Sequence, residues 1–203
     1  MDEARRALAE ARRLEPHDSV RSHYPDVLVQ RHMAQIERYR EGLRMAGLRD
    51  HAEETADFGV APDRKLNATL RGFTPLTIPG ATTIRTAELV RLFAERKPLV
   101  IDTVSNFWGR SIPDAIGLRG AGVGGDFDDP VQTRLSRRMQ ALTGDDRNAP
   151  IVTVGWNSER FDGYNLTLRL AALGYRKVHW YRGGREAWEV ASLPETELEP
   201  QLW

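Results

Sequence analysis

The chain has 203 residues, 40% hydrophobic and 29% charged, which is enough to bury at least one core. Its 29 Lys and Arg balance 29 Asp and Glu, so no excess charge draws it to nucleic acid or anionic lipid. The absence of cysteine excludes disulfides, thiolate metal sites and every thiol-based mechanism.

No window approaches the roughly 20 apolar residues of a membrane span. The opening Met-Asp-Glu-Ala-Arg-Arg is charged and lacks the apolar core of a secretory signal, so a cytoplasmic location is expected. Arginine outnumbers lysine 26 to 3, but the arginines are scattered and read as compositional bias.

Residues 2–14 read as a weakly amphipathic helix with Leu8 and Leu14 as its only large apolar residues. After a break at 16–19, Tyr24-Pro25-Asp26 offers a second helix start. Val29, Met33, Ile36 and Leu43 then share one face until Gly47 supplies a stop. That face packs on its helical neighbour or the later domain, or it forms a dimer seam; both alternatives stay open. Residues 1–50 are therefore a helical extension.

From 51 to 80 periodicity disappears, and Pro62, Pro75 and Pro79 mark a linker. Leu70, Phe73, Leu76 and Ile78 would be exposed in a free linker, so it is expected to drape over the next domain, at 81–203. Thr86 is placed to cap a helix carrying Leu89, Val90 and Phe93, which Lys97-Pro98 ends. Leu99-Val100-Ile101 reads as a buried parallel strand with Asp102 at its C-terminal end.

Gly120-Ala-Gly-Val-Gly-Gly125 matches G-x-G-x-x-G in form. It follows a proline turn rather than a strand, and no acidic residue closes a second strand, so no dinucleotide is assigned. Asp126, Asp128 and Asp129 lack the spacing of a calcium loop; Asp129 reads as the cap of a helix starting at Pro130 and ending at Gly144. No metal or other cofactor is expected.

Ile151 to Val154 reads as the central buried strand, followed by the polar loop Gly155-Trp-Asn-Ser-Glu-Arg-Phe-Asp-Gly163. Leu166, Leu170 and Leu173 then face a core along a helix that stops at Gly174. Val178 to Trp180 is the next strand, Gly183-Gly184 a turn, and the last helix carries Trp188. This alternation implies an α/β fold, a parallel sheet flanked by helices on both faces. The strand-loop-helix junction points loop amides and a helix N-terminus at one place, an arrangement that favours an anion.

Ile151-Val-Thr-Val, the helix ending Ala-Leu-Gly-Tyr175, Val178-His-Trp-Tyr-Arg-Gly-Gly-Arg-Glu-Ala-Trp188 and Leu193-Pro194 resemble the second half of a rhodanese-like domain. Leu99-Val-Ile-Asp102 and Ser111-Ile-Pro-Asp-Ala115 resemble its first half. The branch with a C-x-x-x-C-W loop, associated with quinone-dependent alcohol catabolism, is similar in Leu142-Thr-Gly-Asp-Asp146, Asn165 and Arg169. Separately, Leu8 to Leu14 and Ile36 to Leu48 resemble the closing helices of the tetratricopeptide region in class III adenylate cyclase-like proteins.

The rhodanese resemblance implies sulfur carried as a persulfide on a loop cysteine. Alignment by strand places that cysteine at Gly155, and alignment by Asn165 and Arg169 places it at Trp156. The C-x5-R loop of related phosphatases, echoed by Ser158-Glu-Arg160, places it at Val154. In every register the nucleophile is missing, and with it covalent sulfur transfer.

Ser158 has no partner base in the sequence pattern, and His179 in its strand reads as a satisfied structural residue. Glu159 and Asp162 are candidates for a general acid and base pair, although Asp162 also fits a helix N-cap. Trp156, Asn157, Ser158, Arg160 and Phe161 are candidates for holding a small anion or ligand, Arg160 by its fork and Trp156 by stacking. The leading expectation is a catalytically inactive binding or regulatory module, with a small anion or a protein as partner. The alternatives are a cysteine-independent hydrolase or lyase and a dimerisation protein built on the N-terminal helices.

Overall fold

The computed structural model describes residues 2–16, 19–20, 33–104, 109–198, 201 and 203. The chain divides into two compact units, Met1–Ala52 and Glu53–Trp203. Among the described residues no helix is long and apolar enough to cross a membrane.

The first unit contains α1 (Asp2–Leu14) and α2 (Met33–Ala46). Gly47, at φ 99°, ends α2 in the left-handed region, where its carbonyl accepts from the Arg12 guanidinium. Val20 donates to the Arg49 carbonyl at 3.0 Å and is buried with Leu48. The expected start at Tyr24 to Asp26 and Val29 of the expected stripe lie outside the described residues. Leu14, Tyr39 and Met45 are exposed.

The second unit carries β1 (Thr82–Ile84), α3 (Thr86–Glu95), β2 (Leu99–Asp102), β3 (Arg110–Ser111), β4 (Ile116–Gly117), α4 (Pro130–Thr143), β5 (Ile151–Val154), α5 (Asp162–Ala172), β6 (Val178–Tyr181), α6 (Gly184–Val190) and β7 (Thr196–Glu197). Five strands form one sheet in the order β1-β6-β5-β2-β4, every pair parallel. β3 and β7 make a small antiparallel pair.

Side chains alternate across the sheet as the two-residue strand period requires. Ile101, Ile151 and Val178 join Leu118, Leu135, Met139, Leu166 and Leu170 in one core. Val100, Val152, Val154 and Tyr181 join Leu89, Ile112 and Trp188 in the other.

Asp129 caps α4, its carboxylate accepting the Gln132 amide at 2.7 Å, and Gly144 (φ 61°) ends the helix. Thr86 does not cap α3; Arg85 holds the cap position, and the Thr86 hydroxyl meets Glu54 Oε2 at 2.9 Å and the Tyr181 hydroxyl at 2.7 Å. The cause is residue 54, which reaches across from the segment before β1.

That segment, residues 53–80, covers one face of α5. Ile78 packs with Phe161, Tyr164, Leu168 and Trp180 in a third apolar cluster, while Phe58 stacks on Phe73 at 4.3 Å. Tyr164 donates to the Asp63 carbonyl at 2.6 Å, and Asn165 exchanges hydrogen bonds with the Asn67 backbone, both at 2.9 Å. α5 is consequently buried around most of its circumference from Asp162 to Leu170, where the leucine stripe alone predicts one buried face.

Candidate functional site: the loop after the central strand

β2, β5 and β6 end side by side at Asp102, Val154 and Tyr181, and the loop 155–161 rises from the middle of this edge. In open α/β sheets this C-terminal edge is where ligands bind.

The loop starts on a close backbone approach. A Cβ at Gly155 would lie 2.3 Å from Asp162 Oδ1 and 2.6 Å from the Gly163 nitrogen, and a Cβ at Gly163 would lie 2.9 Å from the Gly155 nitrogen. Two glycines thus let the end of β5 touch the first turn of α5. The α6 amides of Arg185 and Glu186 donate to the Gly155 and Trp156 carbonyls, both at 3.0 Å, so loop carbonyls take up these free N–H groups.

The loop side chains are engaged by the chain itself. Asn157 donates to Glu186 Oε2 at 2.9 Å and accepts the Glu159 amide at 3.0 Å. Ser158 donates to the Glu53 carbonyl at 2.9 Å, and Phe161 stands edge-on to Tyr164 at 5.7 Å. Arg160 Nε lies 3.3 Å from Asp162 Oδ2, with the Arg160 side chain 30% exposed. Trp156 is half-buried.

Asp162 is not an N-cap. Phe161 occupies the cap position, and Asp162 opens the helix with its Oδ1 accepting the Gly163 amide at 2.9 Å and the Trp156 amide at 3.3 Å. The glycine contact brings the Trp156 amide within reach of residue 162, which a spacing rule for caps does not anticipate.

The segment before β1 pairs with the outer edge of the loop. Phe161 donates to the Leu70 carbonyl at 2.8 Å, Gly72 to Glu159 at 2.9 Å and Thr74 to Ser158 at 3.2 Å, around an antiparallel bridge between Arg71 and Arg160. Arg182, 1% exposed, latches this strap to the sheet through the Glu54 carbonyl at 2.6 Å and the Thr74 carbonyl at 2.9 Å. Burial pulls the Arg182 guanidinium down to about 10, against the opposing attraction of Asp57, Glu159 and Glu54. Glu159 and Asp162 are 2% and 5% exposed, so a substrate reaches them only if strap and loop part.

Beside the loop, Asp102 accepts from Arg185 Nε at 2.6 Å, the Ser111 hydroxyl at 2.5 Å and the Val104 amide at 2.8 Å. Burial pushes its carboxyl up, and Arg185 opposes the shift. This pair ties β2 to α6. The sequence signal was present in Asp102 at a strand end and Arg185 after two glycines, but nothing in their spacing pairs them.

Asn165 and Arg169 hold the glycine-rich segment. Asn165 donates to the Gly122 carbonyl at 3.0 Å, and Arg169, fully buried, donates to the carbonyls of Val123, Gly124 and Asp126 and pairs with Asp129 at 2.7 Å. The glycines serve that backbone packing: a Cβ at Gly122 would lie 2.0 Å from the Asp162 carbonyl oxygen. Asp129 is thereby a cap and an ion-pair partner. No group of His, Asp and Glu among the described residues is arranged to hold a metal ion.

His179 departs from the satisfied role expected of it. Its Nδ1 is buried with no hydrogen-bond partner among the described residues, and burial, assisted by Arg96, holds the imidazole below its ordinary pKa.

A parallel five-stranded sheet between helical layers, with its central loop at the C-terminal edge, defines a class: an open α/β domain whose central loop carries no thiol. The family follows directly. The rhodanese-like domain model matches residues 85–191, more than half of the 203, and the chain belongs to that family.

Among solved structures the chain is similar to a full-length protein from Lactobacillus plantarum, at 20% identity and TM-score 0.43, over 57% of this chain and 88% of that one. It is similar to a thiosulfate sulfurtransferase from Pseudomonas aeruginosa at 17% identity and TM-score 0.42, over 60% of this chain and 21% of the other. A yeast protein tyrosine phosphatase of the rhodanese family gives 21% identity and TM-score 0.42, over 56% and 88% of the two chains. No curated protein sequence matches the chain.

Proposed function

We propose that this chain is a non-catalytic rhodanese-like module that acts as a cytoplasmic binding or regulatory domain. The observation that carries the proposal is the loop 155–161 itself: no position in it bears a thiol, and its outer edge is paired to the strap at residues 70–74. Losing the nucleophile costs several orders of magnitude in rate, and among the described residues the loop serine, Ser158, donates to the Glu53 carbonyl rather than to a base. The resemblance to the C-x-x-x-C-W branch and to the tail of adenylate cyclase-like proteins fits a signalling or accessory role within this reading. The test is sulfur transfer from thiosulfate to cyanide by purified chain. We expect no turnover above that of the Trp156→Ala variant; a clear excess would overturn the proposal.

A second reading rests on the helical unit, where Leu14, Tyr39 and Met45 are 64%, 47% and 56% exposed. In that reading the helices form a homodimer. Light scattering at micromolar concentration distinguishes the two, and a monomer removes the dimer.

A further inference from the structure

We infer that Asp162 is a built-in anion: its carboxylate fills the place at which the loop would hold an external anion and keeps the loop closed to sulfate, phosphate and thiosulfate. This deepens the non-catalytic reading and rests on it only in that no thiolate competes for the same amides.

Anion sites in proteins combine main-chain N–H groups, the first turn of a helix and a guanidinium. Here all three converge on one side chain. Oδ1 takes the amides of Trp156 at 3.3 Å and Gly163 at 2.9 Å, and Oδ2 faces Arg160 Nε at 3.3 Å. The residue is 5% exposed, so water does not compete freely for these donors.

The position of the carboxylate supplies an independent observation. Oδ1 lies 2.3 Å from where a Cβ at residue 155 would begin. The oxygen thus occupies the root of any side chain at the end of β5, one of the registers in which a nucleophile is expected. Glycine at 155 is what makes room for it.

Tethering decides the competition. A group held on the same short segment acts at an effective concentration of about millimolar or more. An outside anion must exceed that to displace it, and it must also enter beside a carboxylate that repels it at close range.

The experiment uses the 15N-labelled 203-residue chain titrated with sodium sulfate against sodium chloride at matched ionic strength, reading the Trp156 and Gly163 amide signals. In the wild type these signals follow the chloride control. In Asp162→Ala they shift saturably with sulfate, with affinity raised about tenfold or more, as release of a tethered competitor predicts. Asp162→Ser, which keeps an oxygen at the helix start while removing the charge, is read in the same way where the alanine variant does not fold.

Saturable sulfate shifts at both amides in the wild type would overturn the inference, and so would a folded variant in which neither amide responds. Failure of the non-catalytic reading shows instead as sulfurtransferase turnover, which this titration does not measure.

Discussion

Gly155→Ala tests the contact on which the loop is built. The added methyl carbon would sit 2.3 Å from Asp162 Oδ1, 2.6 Å from the Gly163 nitrogen and 3.0 Å from the Gly163 Cα. The carboxylate oxygen can swing away, but the Gly163 backbone belongs to a buried helix turn and cannot. Overpacking of this kind costs about 1–3 kcal/mol. Turning the carboxylate aside also breaks its two amide bonds, each worth about 1.5–3 kcal/mol for a charged acceptor before partial replacement. Together these come to about 4–9 kcal/mol, comparable to the roughly 5–15 kcal/mol that holds a domain folded. The assay is urea unfolding followed by tryptophan fluorescence, since Trp180 is buried beside Gly163. The midpoint is expected to fall with the slope unchanged. A loss below about 1 kcal/mol would refute the contact between the end of β5 and the start of α5.

Four further outcomes follow from the same contacts. Arg169→Met removes the guanidinium that holds the Gly122–Asp129 segment and leaves carbonyls and the Asp129 carboxylate without it, which should cost about 3–5 kcal/mol in urea unfolding. The Arg169 hydrogen bond holds the Asp129 carboxyl below its ordinary value. Its stabilisation is therefore complete above the unfolded value of about 4 and is lost as pH falls through the folded one, so Asp129→Asn should lose less stability than wild type between neutral pH and pH ~3. Burial lowers the His179 imidazole, so stability falls as pH drops from its unfolded value of about 6.5 toward the folded one, and His179→Gln should flatten that window. A chain beginning at Glu53 should fold, whereas one beginning at Ala81 exposes Phe161, Tyr164 and Trp180, worth about 1.5–3 kcal/mol each, and should lose its cooperative transition by calorimetry.

What the sequence disclosed and what it concealed divide along a physical line. Ile151 to Val154 and Val178 to Trp180 were legible as buried parallel strands because largely apolar runs between turn residues have few other uses. Asp129 with Pro130, and Gly144, were legible as helix boundaries because caps are settled within four residues. The missing thiol was legible by inspection. The strap was readable only as apolar residues in need of cover; its pairing with the loop joins residues some 85 apart and leaves no periodic trace.

Asp162 shows why local rules mislead at such a place. Its spacing from the helix matches a cap, yet its partner is fixed by Gly155, whose lack of a side chain matters only once β5 and α5 are in contact. A loop that reads as an anion cradle from its amides alone also contains the charge that fills it. Loop amides define a binding site only when no carboxylate of the same chain can reach them, and here the residue that reaches them is part of the motif itself.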